Sequence, residues 1–185
     1  LDISKSNVEA IEKNAFYGLI NLIYLILDHN KIKTIYKDSF QWLTKLQSLD
    51  LRSSNIETIE PLAFNGLNSI TTIYLISNKI RFFPTQSFFS MPMLKILRTD
   101  QNPIEIIETD AFDSLVNLEN LYMPLIKLSI IRQDTFRHLS KCDSLVLVNS
   151  GINEIEPNAL DGLPSLTKLN LNNYNIRFLS NLTIK

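Results

Sequence analysis

The stretch LIYLILDHNKIKTI, Leu22–Ile35, carries apolar residues at Leu22, Leu25, Leu27, Ile32 and Ile35. Neither the strict alternation of a half-buried strand nor the 3.6-residue stripe of an amphipathic helix fits that spacing. It reads as a short strand that turns a corner at Asn30 and continues elsewhere. The pattern returns at one fixed step along the chain. From Leu27 the step meets Leu51, Leu75, Thr99, Met123, Leu147 and Leu171. From Phe40 it meets Phe16, Phe64, Phe88, Phe112, Phe136 and Leu160, and from Ile32 it meets Val8, Ile56, Ile80, Ile104, Leu128, Ile152 and Ile176. No insertion or deletion breaks the register, so the chain is an internal repeat from end to end.

The unit reads L-x-x-L-x-L-x-x-N-x-I-x-x-I-x-x-x-x-F-x-x-L. This resembles the leucine-rich repeat family in its typical 24-residue extracellular class, the class of Toll receptor, slit, chaoptin and small leucine-rich proteoglycan ectodomains. The resemblance covers residues 1–185 as one array of about seven and a half units. It implies a leucine-rich-repeat solenoid, a right-handed horseshoe of the α/β type. Its concave face would be a parallel β-sheet, and its convex side irregular or built of short 3-10 segments. Members of the family usually end in cysteine-rich caps. This chain has one cysteine and begins at Leu1, so it is expected to be a fragment without its caps.

The physics of the unit agrees. Leu25 and Leu27 point inward from a short strand, and Asn30 marks the turn out of it. A side-chain amide there satisfies backbone groups that the bend leaves unpaired. One unit cannot stand alone: its few buried side chains, at about 2 kcal/mol each, fall short of ordering the whole unit at about 1–2 kcal/mol per residue. Stacking supplies the difference. The Asn column runs Ser6, Asn30, Ser54, Asn78, Asn102, Ile126, Ser150, Tyr174. Ile126 and Tyr174 cannot copy the amide, and Pro124 precedes Ile126, so the sixth unit is expected to be irregular.

A second period is superimposed on the first. The position after Val8 and its equivalents reads Glu9, Lys33, Glu57, Arg81, Glu105, then Ser129, Asn153 and Arg177. Glu12, Glu60, Glu108 and Glu156 recur in every second unit, with Tyr36, Pro84 and Arg132 between them. The expectation is a self-neutralising, solvated flank whose ion pairs are worth about 0–1 kcal/mol each.

Composition narrows the function. The chain is 45% hydrophobic and 20% charged with a formal net charge of -1, which excludes a disordered chain and gives no reason to expect nucleic acid as a partner. No apolar run is long enough to span a bilayer, and no signal peptide is visible. Four glycines leave a phosphate-binding loop unsupported. Cys142 falls in the column of Leu22, Leu46, Ile70 and Leu94 and reads as a buried thiol. His29 and His138 occupy different columns, so neither a metal site nor a catalytic cluster follows. Trp42 stands in a column otherwise holding Gly18, Gly66, Ser90, Ser114, His138 and Gly162, with no assigned role. No cofactor and no enzyme activity are expected.

In the resembled family, ligands commonly dock on the concave sheet. Strand alternation assigns that surface to the residues flanking the inward leucines. Eight strands at about 4.8 Å would make a face roughly 34 Å long. Its early part carries Asp28, Asp50 and Arg52, with Arg98 and Asp100 further on; its later part carries Tyr74, Ile76, Ile96, Tyr122, Pro124, Val146 and Val148. An exposed aromatic and aliphatic patch of this kind marks partner sites more often than chance. Tyr74, Ile76, Ile96, Arg98, Tyr122, Val146 and Val148 are therefore the candidate ligand-binding residues. Asn181-Leu182-Thr183 is the one N-glycosylation sequon. The resemblance implies a non-catalytic protein-binding ectodomain, secreted or on the cell surface, of receptor, innate-immune, adhesion or matrix type, with a protein ligand or partner receptor. A structural spacer and an intracellular interaction scaffold stand as alternatives.

Overall fold

A computed structural model describes residues 1–172 of the chain. Seven three-residue strands form one parallel sheet: β1 Tyr24–Ile26, β3 Ser48–Asp50, β5 Thr72–Tyr74, β7 Ile96–Arg98, β9 Asn120–Tyr122, β11 Ser144–Val146 and β13 Lys168–Asn170. A bridge from Asp2 to Ile26 adds an eighth position at the start. Pairing steps by one unit throughout, as in Leu25 with Leu49 and Leu121 with Leu145. The result is a parallel-strand solenoid of the expected kind.

The return path differs in one respect from the expected irregular crossing. Among the described residues it holds turns and no helix, but it also carries two-residue strands: β2 Thr34–Ile35, β4 Thr58–Ile59, β6 Phe82–Phe83, β8 Ile106–Ile107, β10 Ile130–Ile131 and β12 Glu154–Ile155. These pair only as β2 with β4, β6 with β8 and β10 with β12. The two-unit superperiod of the sequence is thus a pairing rule on the lateral side. Its glutamates carry the rule. The Glu60 carboxylate accepts the Lys37 amide at 2.8 Å, Glu108 accepts Thr85 at 2.8 Å, and Glu156 accepts Gln133 at 2.7 Å. In the intervening unit Pro84 replaces the glutamate and Pro61, which has no N–H, stands in the donor position.

The core follows the columns. Leu25, Leu27, Ile32, Ile35, Phe40, Leu43 and Leu46 are buried, and so are most of their equivalents. Phe16, Phe40, Phe64, Phe88, Phe112 and Phe136 stack in one file, with centroids 5.7–6.3 Å apart. Phe83 meets Phe88 and Phe112 edge-on, at 5.1 and 6.1 Å.

The asparagine column ties each turn to its neighbour. The Asn78 oxygen accepts the Ser54 and Ile56 amides at 3.0 Å each, and its nitrogen donates to the Leu51 and Leu75 carbonyls at 2.8 and 2.9 Å. Asn30 and Asn102 repeat the pattern. Ser54 does part of the same work, donating to the Leu27 and Arg52 carbonyls. Among the described residues, every turn places the residue before this column in the left-handed region, from Lys5 and His29 through Leu125 and Asn149.

The sixth unit departs as expected, though not in its backbone shape: Leu125 keeps the common φ of 64°. What changes is the bonding. Ile126 buries an apolar side chain where the amide belongs. The Gly151 amide bonds the Ile126 carbonyl at 3.1 Å. The equivalent amides of Lys31, Lys79 and Lys127 bond Val8, Ile56 and Ile104, a register that would have sent Gly151 to Leu128. Tyr174 lies outside the described residues. Trp42, left without a role by the sequence, is half-buried: its indole N–H donates to the Asn14 side chain at 3.0 Å, and its ring meets Tyr17 edge-on at 5.0 Å. In the same column Gly66 has φ 92°, and a Cβ there would lie 2.5 Å from the Gln41 carbonyl oxygen.

Cys142 is buried, and that burial pushes its thiol up to about 11 against weaker hydrogen bonds that lower it. Two outcomes follow. Asn78→Ala strands two amides and two carbonyls and is expected to cost about 3 kcal/mol in urea unfolding, with Asn78→Ser costing visibly less because Ser54 shows what a hydroxyl recovers; equal losses for the two variants would contradict the role given to the amide. With its thiol neutral at pH 8, Cys142 is expected to resist iodoacetamide in the folded array and to react only once urea unfolds it, as read by mass spectrometry. Labelling of the folded chain at a free-thiol rate would contradict the assigned burial.

Candidate concave interface

Strand register fixes what stands beside what on the concave sheet. One column runs Ile26, Asp50, Tyr74, Arg98, Tyr122, Val146, Asn170, each beside the next. Two residues on in each unit lie Asp28, Arg52, Ile76, Asp100, Pro124 and Val148. The first column faces out because its neighbours Leu25, Leu49, Ile73, Leu97 and Leu121 face the core.

Two side-chain clusters stand on this grid. In the first, the Arg52 Nε donates to both Asp50 oxygens at 2.9 Å and its Nη2 to Oδ2 at 2.5 Å. The Arg52 guanidinium lies over the Tyr74 ring, 5.6 Å from its centroid. In the second, Arg98 bonds Asp100 through Nη2 at 2.6 Å and Nε at 3.2 Å, and lies 5.2 Å over the Tyr122 ring. The clusters are two units apart with acid and base exchanged: Asp50-x-Arg52 beside Tyr74, then Arg98-x-Asp100 beside Tyr122. The lateral superperiod therefore has a counterpart on the concave face.

The geometry decides what this surface offers. Asp50 and Asp100 are only 7% and 8% exposed, while the Arg52 and Arg98 side chains are 49% and 40% exposed. The carboxylates sit beneath as counterions and the guanidinium groups lie above them. The hydrogen bonds to Asp50 and to Asp100 raise the two arginines above their ordinary value, partly offset by desolvation. Each ion pair is half open to water and adds little to stability. Each cation–ring contact adds about 0.5–1 kcal/mol. The larger consequence is order: four long side chains are held in place before any partner arrives.

Of the seven residues selected from sequence, Tyr74, Ile96, Arg98, Tyr122 and Val146 stand on the strands of one sheet and Ile76 and Val148 lie two residues past them, but all are half-buried. The expected exposed patch is thus a half-buried surface, and an arginine lies over each of its two tyrosine rings. The division into an early charged zone and a later apolar zone also gives way, since Arg52 belongs with Tyr74 and Asp100 with Arg98 and Tyr122. Asp50, Arg52 and Asp100 lie outside the selected set yet complete the two clusters, the aspartates on the arginines and Arg52 on Tyr74; the two-unit spacing of Tyr74 and Tyr122 is the signal that points to them. The most exposed large apolar residues lie off the selected set, at Tyr17, Ile20, Tyr24, Met93 and Ile106 among others. His29 bonds its neighbour Asp28 at 2.7 Å. No group of histidine, cysteine and acidic residues among the described residues is arranged to hold a metal. No helix of the described residues is long and apolar enough to cross a membrane. Asn181 lies outside the described residues.

Comparison with known proteins agrees with the fold. No curated protein matches the chain. Among solved structures, a complex described as TLR13 with ssRNA13 superposes with a TM-score of 0.69 at 25% identity, over 91% of this chain and 27% of that one. The chain thus spans about a quarter of that receptor chain's length. The model of the leucine rich repeat matches residues 1–56, 44–104 and 127–176. With most of its length matched and with strands, turns and core all stepping by one unit, the chain belongs to the leucine-rich repeat family.

Proposed function

We propose that this array is the non-catalytic, protein-binding part of a secreted or cell-surface leucine-rich-repeat protein of receptor type, with its ligand on the concave face. The observation that carries the reading is the pair of ordered Asp–Arg–Tyr clusters at the middle of that face. Tyrosine and arginine dominate protein–protein hot spots, and side chains already held in place lose little entropy on binding. Ile76, Ile96, Val146 and Val148 surround them with apolar surface. The likeness to a Toll-like receptor structure supports the receptor reading and a surface or endosomal setting.

That neighbour is described with a single-stranded RNA, so the kind of ligand needs a separate argument. RNA binding draws its affinity from unpaired basic groups against phosphates. Here both concave arginines are neutralised by buried aspartates, which favours a protein partner. Asn181, if glycosylated, would fit a secreted or surface location.

The test is a binding screen of secreted and cell-surface proteins against the immobilised chain. A partner is expected whose affinity falls at least about tenfold in Tyr122→Ala, while the melting temperature of the variant stays near the parent's. Saturable binding of a single-stranded RNA oligonucleotide at physiological salt would overturn the protein-ligand reading. Partners that all ignore Tyr122→Ala and Tyr74→Ala would move the site off the concave face and leave the array as a spacer or scaffold.

A further inference from the structure

The lateral ladders leave every second junction open, and the junction between β8 and β10 is the widest. No Cα of β8 comes within 8 Å of a Cα of β10, whereas β4 and β6, also unbonded, do approach that closely. Strands bonded in a ladder sit about 4.8 Å apart, and a strand lying between two others needs twice that spacing.

Main-chain groups face this gap from both banks. In the closed junctions, the amides of Glu57, Thr58 and Glu60 bond the Lys33 and Ile35 carbonyls, and those of Glu105, Ile106 and Glu108 bond Arg81 and Phe83. By the same register the carbonyls of Glu105 and Ile107 face β10, and the amides of Ser129, Ile130 and Arg132 face β8. None of these bonds forms across the junction among the described residues. A cleft of about 120 Å³ lies there, bordered by Ile106, Ile107, Leu128 and Ile130. Ile106 is 56% exposed. The junction adjoins the unit in which Ile126 replaces the ladder amide, so the local bonding is already altered.

The charges at its mouth are not balanced. Glu105 is held by Arg81 at 2.8 and 3.0 Å. Arg132, also at the cleft, is exposed and has no acidic partner among the described residues. The site therefore presents one available cation beside an apolar notch and two rows of main-chain groups.

The geometry points to a second protein-contact site on the lateral side: the β8/β10 junction takes an extended peptide segment as an added strand, with a carboxylate side chain of the peptide on Arg132 and an apolar side chain between Ile106 and Ile130. Main-chain bonds supply affinity in this mode and the alternate side chains supply selectivity. The site is independent of the concave ligand face and stands whether or not that reading holds.

The probe is a phage-displayed library of random peptides panned on the whole chain. Enriched peptides are expected to alternate apolar residues with Asp or Glu. A synthetic copy is expected to bind Arg132→Glu and Ile106→Asp at least about tenfold more weakly than the parent, and to bind Tyr122→Ala unchanged. Methylating alternate backbone nitrogens of the peptide should weaken it as much, and the amides of Ser129, Ile130 and Arg132 should slow in hydrogen exchange when it binds. Both substituted residues are exposed, so the variants are expected to melt with the parent. No enrichment, or peptides that bind Arg132→Glu as well as the parent, or peptides lost on Tyr122→Ala, would each overturn the proposal.

Discussion

The rest of the molecule depends on a side-chain amide. Asn30, Asn78 and Asn102 each close their own turn and the turn of the unit before it, with donors and acceptors both used. A bend that turns the chain into the core leaves amides and carbonyls with no ladder to join, and burying them unpaired costs about 1–3 kcal/mol apiece. Since the partner amide comes from the next unit, the bend is satisfied only when the units are stacked one full repeat out of phase. The strand register, the phenylalanine file and the alignment of the concave columns then follow from one spacing. Where the amide is missing, at Ile126, the neighbouring bond shifts its partner and the adjoining lateral junction is the wider of the two open ones.

The doubled period gives the array a grain. Glu60, Glu108 and Glu156 each accept an amide of the preceding unit, locking units into pairs on the lateral side. The same doubling sets Tyr74 and Tyr122 on the concave face with an arginine over each. In both places the second copy of a feature lies two strands from the first, so a partner meets paired sites about 10 Å apart, twice the strand spacing.

The fold was legible in the sequence because apolar columns at a fixed step, with no break in register, fit few architectures besides a stacked solenoid. The core residues, the concave register and the altered bonding at Ile126 could all be read from it. Two things could not. The Glu12-type column looked like a solvated charged flank, because sequence shows a carboxylate but not which amide it reaches. The concave residues looked like an exposed patch, because alternation tells which way Tyr74 points but not that Arg52 lies across it. Both misses concern side-chain contacts between units, where a residue's neighbour is a whole repeat away and its geometry depends on rotamers rather than on pattern.

The concave clusters are held in place before a partner binds. The most direct measurement is the exchange of the arginine Nε–H protons by NMR in the unliganded chain. Arg52 and Arg98 donate these protons to Asp50 and Asp100, so their signals are predicted to persist near neutral pH and to exchange well below the rate of Arg132. Exchange of all three at one common rate would mean that the clusters are not formed in solution and would contradict the account.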